Sequence, residues 1–172
     1  MSSASFASRR RLRIRLWIRW LTTVCWAILI FDLSTEGFGS SFTELLLSQL
    51  LSLFQIHVSP GTLDSLNFLV RKLAHFTEYA IFAQLLYVSL LQVDELEWQP
   101  RAAFWSVVIA GAYSLTDEFH QLFVPNRTAS LIDCAIDTTG AILGLLVVYV
   151  VTQRLQANRT RRAAEAASTV EA

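Results

Sequence analysis

The chain has 172 residues, of which 53% are hydrophobic and 16% charged, with a formal net charge of zero and a mean hydropathy of +0.44. Those proportions argue against a water-soluble domain and for a small helical membrane protein. The zero net charge hides an uneven distribution. Of 14 Lys and Arg, six lie at the start (Arg9, Arg10, Arg11, Arg13, Arg15, Arg19) and four at the end (Arg154, Arg159, Arg161, Arg162). Basic termini can serve nucleic acid, but beside apolar segments they are better read as positive-inside anchors, so no nucleic-acid partner is expected.

The first predicted element follows a basic N-terminus over 1–15 and spans about 16–33. It imitates a signal peptide, but no small-x-small cleavage site follows at Phe31-Asp32-Leu33, so it is expected to stay as an anchor. Arg19 lies inside it, where a long side chain can snorkel to the surface. Residues 34–68 form a long connection, within which 41–55 is amphipathic, with polar positions at Glu44, Ser48, Ser52 and Gln55. Ser41-Phe42-Thr43-Glu44 fits a capping box at its start. Such a segment is expected to lie in the membrane interface. Pro60-Gly61 then breaks the chain before the second span.

Further spans are predicted over about 69–93, 102–122 and 131–152, each able to cross about 30 Å of hydrocarbon. Trp17, Trp20, Trp98 and Trp105 border the spans as interfacial aromatics do. The tail, 153–172, is expected to be a mobile helix or disordered. Cys25 and Cys134 both fall in apolar runs and are expected to be buried free thiols. The expected fold is therefore all-α: a polytopic membrane protein with four transmembrane helices and an interfacial amphipathic helix.

Placing both basic ends in the cytoplasm closes this topology. The 92–101 loop then adds Arg101, which gives eleven basic residues inside against three outside (Arg71, Lys72, Arg127). In this orientation three spans bring their ionisable groups to one level, near the extracytoplasmic face. The second contributes Arg71, Lys72, His75, Glu78 and Tyr79, the third Asp117, Glu118, His120 and Gln121, and the fourth Asp133 and Asp137. Such groups cost roughly 2.5–3.5 kcal/mol each at a helix centre, so they mark function or obligatory pairing. The charge-free stretches Ala80–Val93 and Thr138–Val151 cover about 21 Å, leaving the outer third of the bilayer for the polar cluster.

Spacing sorts these residues by face. Lys72, His75 and Tyr79 share one face of the second span, and Arg71, His75 and Glu78 an overlapping one. Ser114, Asp117 or Glu118, and Gln121 share a face of the third. Asp133, Asp137, Gly140 and Gly144 form one stripe, with the G-x-x-x-G spacing that allows close helix approach. Two readings stay open. The carboxylates and His75 form a structural ion network that locks the helices, with Ser130 and Asp133 as a helix cap and Arg127 an interfacial anchor. Alternatively, they form a site. His75 with Asp117 or Glu118 could then transfer protons, and Arg71, Lys72 and Arg127 could hold a phosphate or carboxylate. No metal-ligand spacing, phosphate loop or dinucleotide fingerprint is present, so neither metal nor cofactor is expected.

The sequence resembles the VanZ-like family of small membrane proteins over about residues 70–145. The matching pieces are Arg71-Lys72-Leu73-Ala74-His75-Phe76 with Glu78-Tyr79; Asp117-Glu118-Phe119-His120-Gln121-Leu122-Phe123-Val124-Pro125 with Arg127; and Ser130, Asp133, Asp137, Gly140 and Gly144. Asn126 stands where the family more usually has Gly, and Asn tolerates the same turn conformation. The resemblance implies a cell-envelope setting, since the family's namesake is an accessory glycopeptide-resistance protein associated with lowered teicoplanin susceptibility.

The expected function is an outward-facing polar site in the plasma membrane that binds or acts on an envelope component. The expected ligand-binding residues are Arg71, Lys72, His75, Tyr79, Asp117, Glu118, Gln121, Arg127, Asp133 and Asp137, with His75, Asp117 and Glu118 as candidates for catalysis. The expected partners are membrane lipids and an anionic or lipid-linked envelope ligand, with oligomers allowed. The alternatives are an enzyme hydrolysing or transferring a group on a lipid-linked precursor, a small transporter, and a structural membrane subunit.

Overall fold

The described residues form five helices: α1 (Ser3–Leu33), α2 (Ser40–Leu53), α3 (Pro60–Leu90), α4 (Pro100–Gln121) and α5 (Leu131–Val170). The computed structural model describes residues 3–35, 40–91, 97–124 and 129–170, and no strand occurs among them. Among the described residues, two helices have the length and hydropathy of a membrane span, at Leu12–Leu33 and Leu131–Ala166. The polar groups that α3 and α4 carry at their packed faces lower the hydropathy of those two helices.

Several helices run past their expected ends. Pro60 begins α3 instead of merely interrupting the chain. Ser59 caps that helix, its hydroxyl accepting from the Thr62 N–H at 3.2 Å, and the Pro at the first position needs no N–H partner. The first nine residues of α3 thus fall in the stretch expected to be connection. α1 runs unbroken through its basic start, and α5 continues to Val170, because no Gly or Pro follows Gly144 to stop it. An Arg161–Glu165 pair at 2.9 Å supports the exposed end of α5. α2 ends in a left-handed cap: Gln55 takes φ 56° and the Ile56 N–H reaches the Leu51 carbonyl at 2.9 Å.

α3 is the central helix, packing on α1, α2, α4 and α5, with its widest contact to α5. The stripe of small residues explains that contact. A methyl added at Gly144 would sit 2.6 Å from the Ala80 carbonyl oxygen, and one at Gly140 would overlap the Phe76 carbonyl. The two helices therefore touch backbone to backbone, as G-x-x-x-G spacing allows. Gln84 adds a hydrogen bond from its amide to the Gly144 carbonyl, 3.1 Å. α1 is tied to the bundle by polar contacts at several levels. The Thr23 hydroxyl meets Ser89 at 2.9 Å, the Trp26 indole donates to the Glu78 carbonyl at 3.0 Å, and the Tyr113 hydroxyl donates to the Ala27 carbonyl at 2.7 Å.

The distribution of polarity is inverted relative to a soluble protein. Buried positions include Thr23, Ser34, Ser106, Ser114, Asp117, Glu118, Gln121, Asp133 and Asp137, while Trp17, Phe104, Phe119, Leu131, Ile132 and Val147 face outward. Helices satisfy their own backbone groups, so a sheath of exposed Leu, Ile, Val and Phe is stable in lipid and a liability in water. Cys25 belongs to this sheath: it is exposed, contrary to expectation, whereas Cys134 is buried. The reason is that α1 packs through Thr23, Trp26 and Ile30, and Cys25 lies off that face.

Candidate functional site

Two polar layers meet at one end of the bundle. The outer layer is a pocket of about 160 Å³ lined by Leu33 and Ser34 of α1, Phe42, Thr43 and Leu46 of α2, and Arg71, Ala74, His75 and Glu78 of α3. Arg71, His75 and Glu78 follow one another at i, i+4 and i+7, so a single face of α3 supplies the ionisable wall. Leu33, Phe42 and Leu46 supply the apolar part of the α1 and α2 wall, with Ser34 and Thr43 beside them. Arg71 is half-buried there, and among the described residues it has no ion pair.

Beneath the pocket lies a buried layer from α3, α4 and α5. Its first component joins the two layers: the Ser34 hydroxyl, from the pocket wall, donates to Asp117 Oδ2 at 2.8 Å. The Gln121 amide spans Asp117 and Glu118 at 3.3 and 3.4 Å. Glu118 Oε2 in turn accepts from the Ser130 N–H at 2.7 Å. The Ser130 hydroxyl accepts from the Ile132 N–H at 3.2 Å, which makes Ser130 the cap of α5. Glu118 thus fixes the α4–α5 connection.

The second component is centred on Asp137, which is fully buried. Its Oδ2 accepts from the Ser114 hydroxyl at 2.6 Å, and its Oδ1 faces His75 Nδ1 at 3.6 Å. Neither of those facing atoms has a hydrogen bond among the described residues, and the same holds for Asp117 Oδ1 and the Tyr79 hydroxyl. A gap of 3.6 Å is too short to admit a bridging water, so His75 and Asp137 can only be partners of each other. Beyond that pair, Asp117 Oδ1 and the Tyr79 hydroxyl are left over in the same buried layer, although buried polar groups are ordinarily satisfied.

Not every expected site residue faces the pocket. Lys72 turns away from it and pairs with Asp133 on the α3–α5 side, its ammonium 5.0 Å from the centre of the Phe68 ring. Neighbouring residues on a helix point about 100° apart, so Arg71 and Lys72 cannot serve one small ligand from the same face. Tyr79 is wholly buried beneath the pocket. His120 packs its ring on Phe31, centroids 4.5 Å apart. Arg127 lies outside the described residues. Among those residues, no group of three or more His, Cys, Asp or Glu is placed to hold a metal ion.

Sequence reasoning missed the α1 and α2 walls. Ser34 sits one residue beyond a span and Thr43 within an amphipathic segment, and neither position has a periodicity that would mark it. Only the amphipathic character of α2 hinted that it covers something.

The chain matches no curated protein and no solved structure. Residues 19–152 match the family model described as VanZ/LLP1, a stretch that takes in the pocket walls, the buried carboxylates and the glycine stripe, and the chain belongs to that family.

Proposed function

We propose that this protein is a four-span membrane protein with both termini in the cytoplasm. Its pocket binds the anionic group of an amphiphilic cell-envelope component from the outer leaflet. The observation that carries this reading is Arg71. A guanidinium cannot lose its charge, and here it stands half-buried in a partly apolar pocket with no ion pair among the described residues. Burying an unpaired charge is expensive, so such a group calls for an anion from outside the chain.

Two further features support an amphiphile over a free anion. One wall is α2, whose Leu45, Leu50 and Leu53 are exposed, as is Phe54 just after it, as in a helix lying in the interface. The mouth of the pocket would then sit where headgroup meets acyl chain, with Leu33, Phe42 and Leu46 against the apolar part. The eleven-to-three bias of basic residues supports the orientation. In that orientation α3 enters from the outside, which puts Arg71 and His75 in the outer part of the bilayer. A contribution to glycopeptide resistance would follow from occupancy of an envelope lipid, and belongs to the same proposal.

The test is retention of lipid. Wild-type protein purified in mild detergent from vesicles containing phosphatidylglycerol should carry that lipid in native mass spectra. Arg71→Gln should lose it, and Lys72→Gln should lose much less. Equal retention by all three would remove Arg71 as the anchor.

A further inference from the structure

A site that only held an anion would have no use for a carboxylate sealed behind its histidine. Asp137 is fully buried, is fixed by Ser114 at 2.6 Å, and sits on the stripe that Gly140 and Gly144 press against the α3 backbone. Its free oxygen faces His75 Nδ1. A carboxylate in that position holds the proton on Nδ1 and leaves the Nε2 lone pair available. His75 keeps 12% of its side chain accessible while Nδ1 is sealed, so it is the far edge of the ring, bearing Nε2, that meets the pocket. Arg71 lies one turn away on the same face, within the same cavity.

Resting on the anion-binding reading above, we infer that the pocket is a hydrolytic centre in which His75, positioned by Asp137, is general base for cleavage of a singly charged phosphodiester headgroup held by Arg71. The charge match selects the class. Lys72 is engaged by Asp133, which leaves one pocket cation for one negative charge. A cavity of about 160 Å³ admits a headgroup of that kind but no oligosaccharide.

The chemistry balances with water alone. Nε2 removes a proton from a water molecule as the water oxygen bonds to phosphorus. The bond from phosphorus to the headgroup alcohol breaks, and the imidazolium returns its proton to the departing alkoxide. One water is consumed, and one alcohol and one phosphomonoester are formed with no change in oxidation state. Asp137 holds the ring in place through the Nδ1 edge and faces the imidazolium as it forms. His75 is thus the catalytic residue and Asp137 a positioning residue.

The experiment uses the full chain reconstituted in vesicles of phosphatidylglycerol and, separately, phosphatidylethanolamine, with phosphorus NMR following conversion of diester to monoester. Wild type should produce monoester from at least one. His75→Gln, and independently His75→Asn, should lower kcat by about 10²- to 10⁴-fold, the usual worth of a general base. Arg71→Gln should instead raise KM. Nitrogen NMR of His75 should show the Nδ1–H tautomer in wild type and lose that preference in Asp137→Asn, a change that mere packing would not produce. If wild type retains lipid in native mass spectra but forms no monoester, the hydrolytic inference falls and the binding reading stands. If wild type retains no lipid, the binding reading itself falls. Full turnover by both His75 variants would also overturn the assignment.

Discussion

Substituting Gly140 by Ala probes the contact that holds His75 opposite Asp137. The new methyl would overlap the Phe76 carbonyl oxygen and lie 3.0 Å from its carbon and 3.2 Å from its Cα. These are backbone atoms of the facing helix, so no side chain can rotate aside. Ordinary van der Waals contact begins near 3.4 Å, and relief requires α3 and α5 to part locally by roughly 1 Å. Overpacking of this kind costs about 1–3 kcal/mol. Ala gains up to about 1 kcal/mol over Gly in helix propensity, but a span that stays helical in lipid or detergent when its tertiary contacts are lost realises little of that gain. The net expectation is a loss of about 1–2 kcal/mol, read by SDS titration of the purified protein. Gly111→Ala is the control, since its methyl would meet only Thr138 Oγ1 at 3.5 Å, and it should be neutral within about 0.5 kcal/mol. Phe76 adjoins His75, and Gly140 is one turn from Asp137, so Gly140→Ala should also weaken lipid retention. Stability equal to wild type in Gly140→Ala would refute the close backbone contact on which the site geometry depends.

The Lys72–Asp133 pair should behave as structure and not as ligand site. Lys72→Met or Asp133→Asn alone strands a partly buried partner, at a cost of up to about 3–5 kcal/mol. The double substitution should recover most of that loss in the same titration, and persistent loss in the double would mean one member has another role. The proposed four-span topology predicts that reporters fused after Arg154 or within 92–101 report cytoplasm, and an external C-terminus would move the pocket to the other face. Arg161→Ala should leave stability unchanged within about 0.5 kcal/mol, because its i,i+4 pair with Glu165 is exposed.

Helices and their buried stripes were legible because both follow from periodicity. Asp133, Asp137, Gly140 and Gly144 fall on one face by spacing alone, and the structure turns that face onto α3. The cost of charge near hydrocarbon led to the expectation of one polar cavity facing away from lipid; Asp117, Glu118, Gln121 and Asp137 instead lie buried beneath the pocket. Helix ends were less legible. Pro60 can end one element or begin another, and only the Ser59 hydroxyl reaching the Thr62 N–H decides it. The choice between Arg71 and Lys72 lay beyond the sequence, since either adjacent cation could have faced Asp133, and a rotation of about 100° separates the outcomes. Ser34 illustrates the remaining gap. Its bond to Asp117 crosses from α1 to α4, and a contact of that kind depends on how helices pack and not on any local pattern.

If Arg71 receives an anionic group from outside the chain, a crystal structure of the protein grown in a lipid mesophase containing phosphatidylglycerol should capture that group in the pocket. Phosphate density is expected at about 3 Å from the Arg71 guanidinium, with His75 on the same side and an acyl chain leaving between Phe42 and Leu46. A guanidinium paired instead with a carboxylate of this chain, in a pocket closed by side chains, would contradict it.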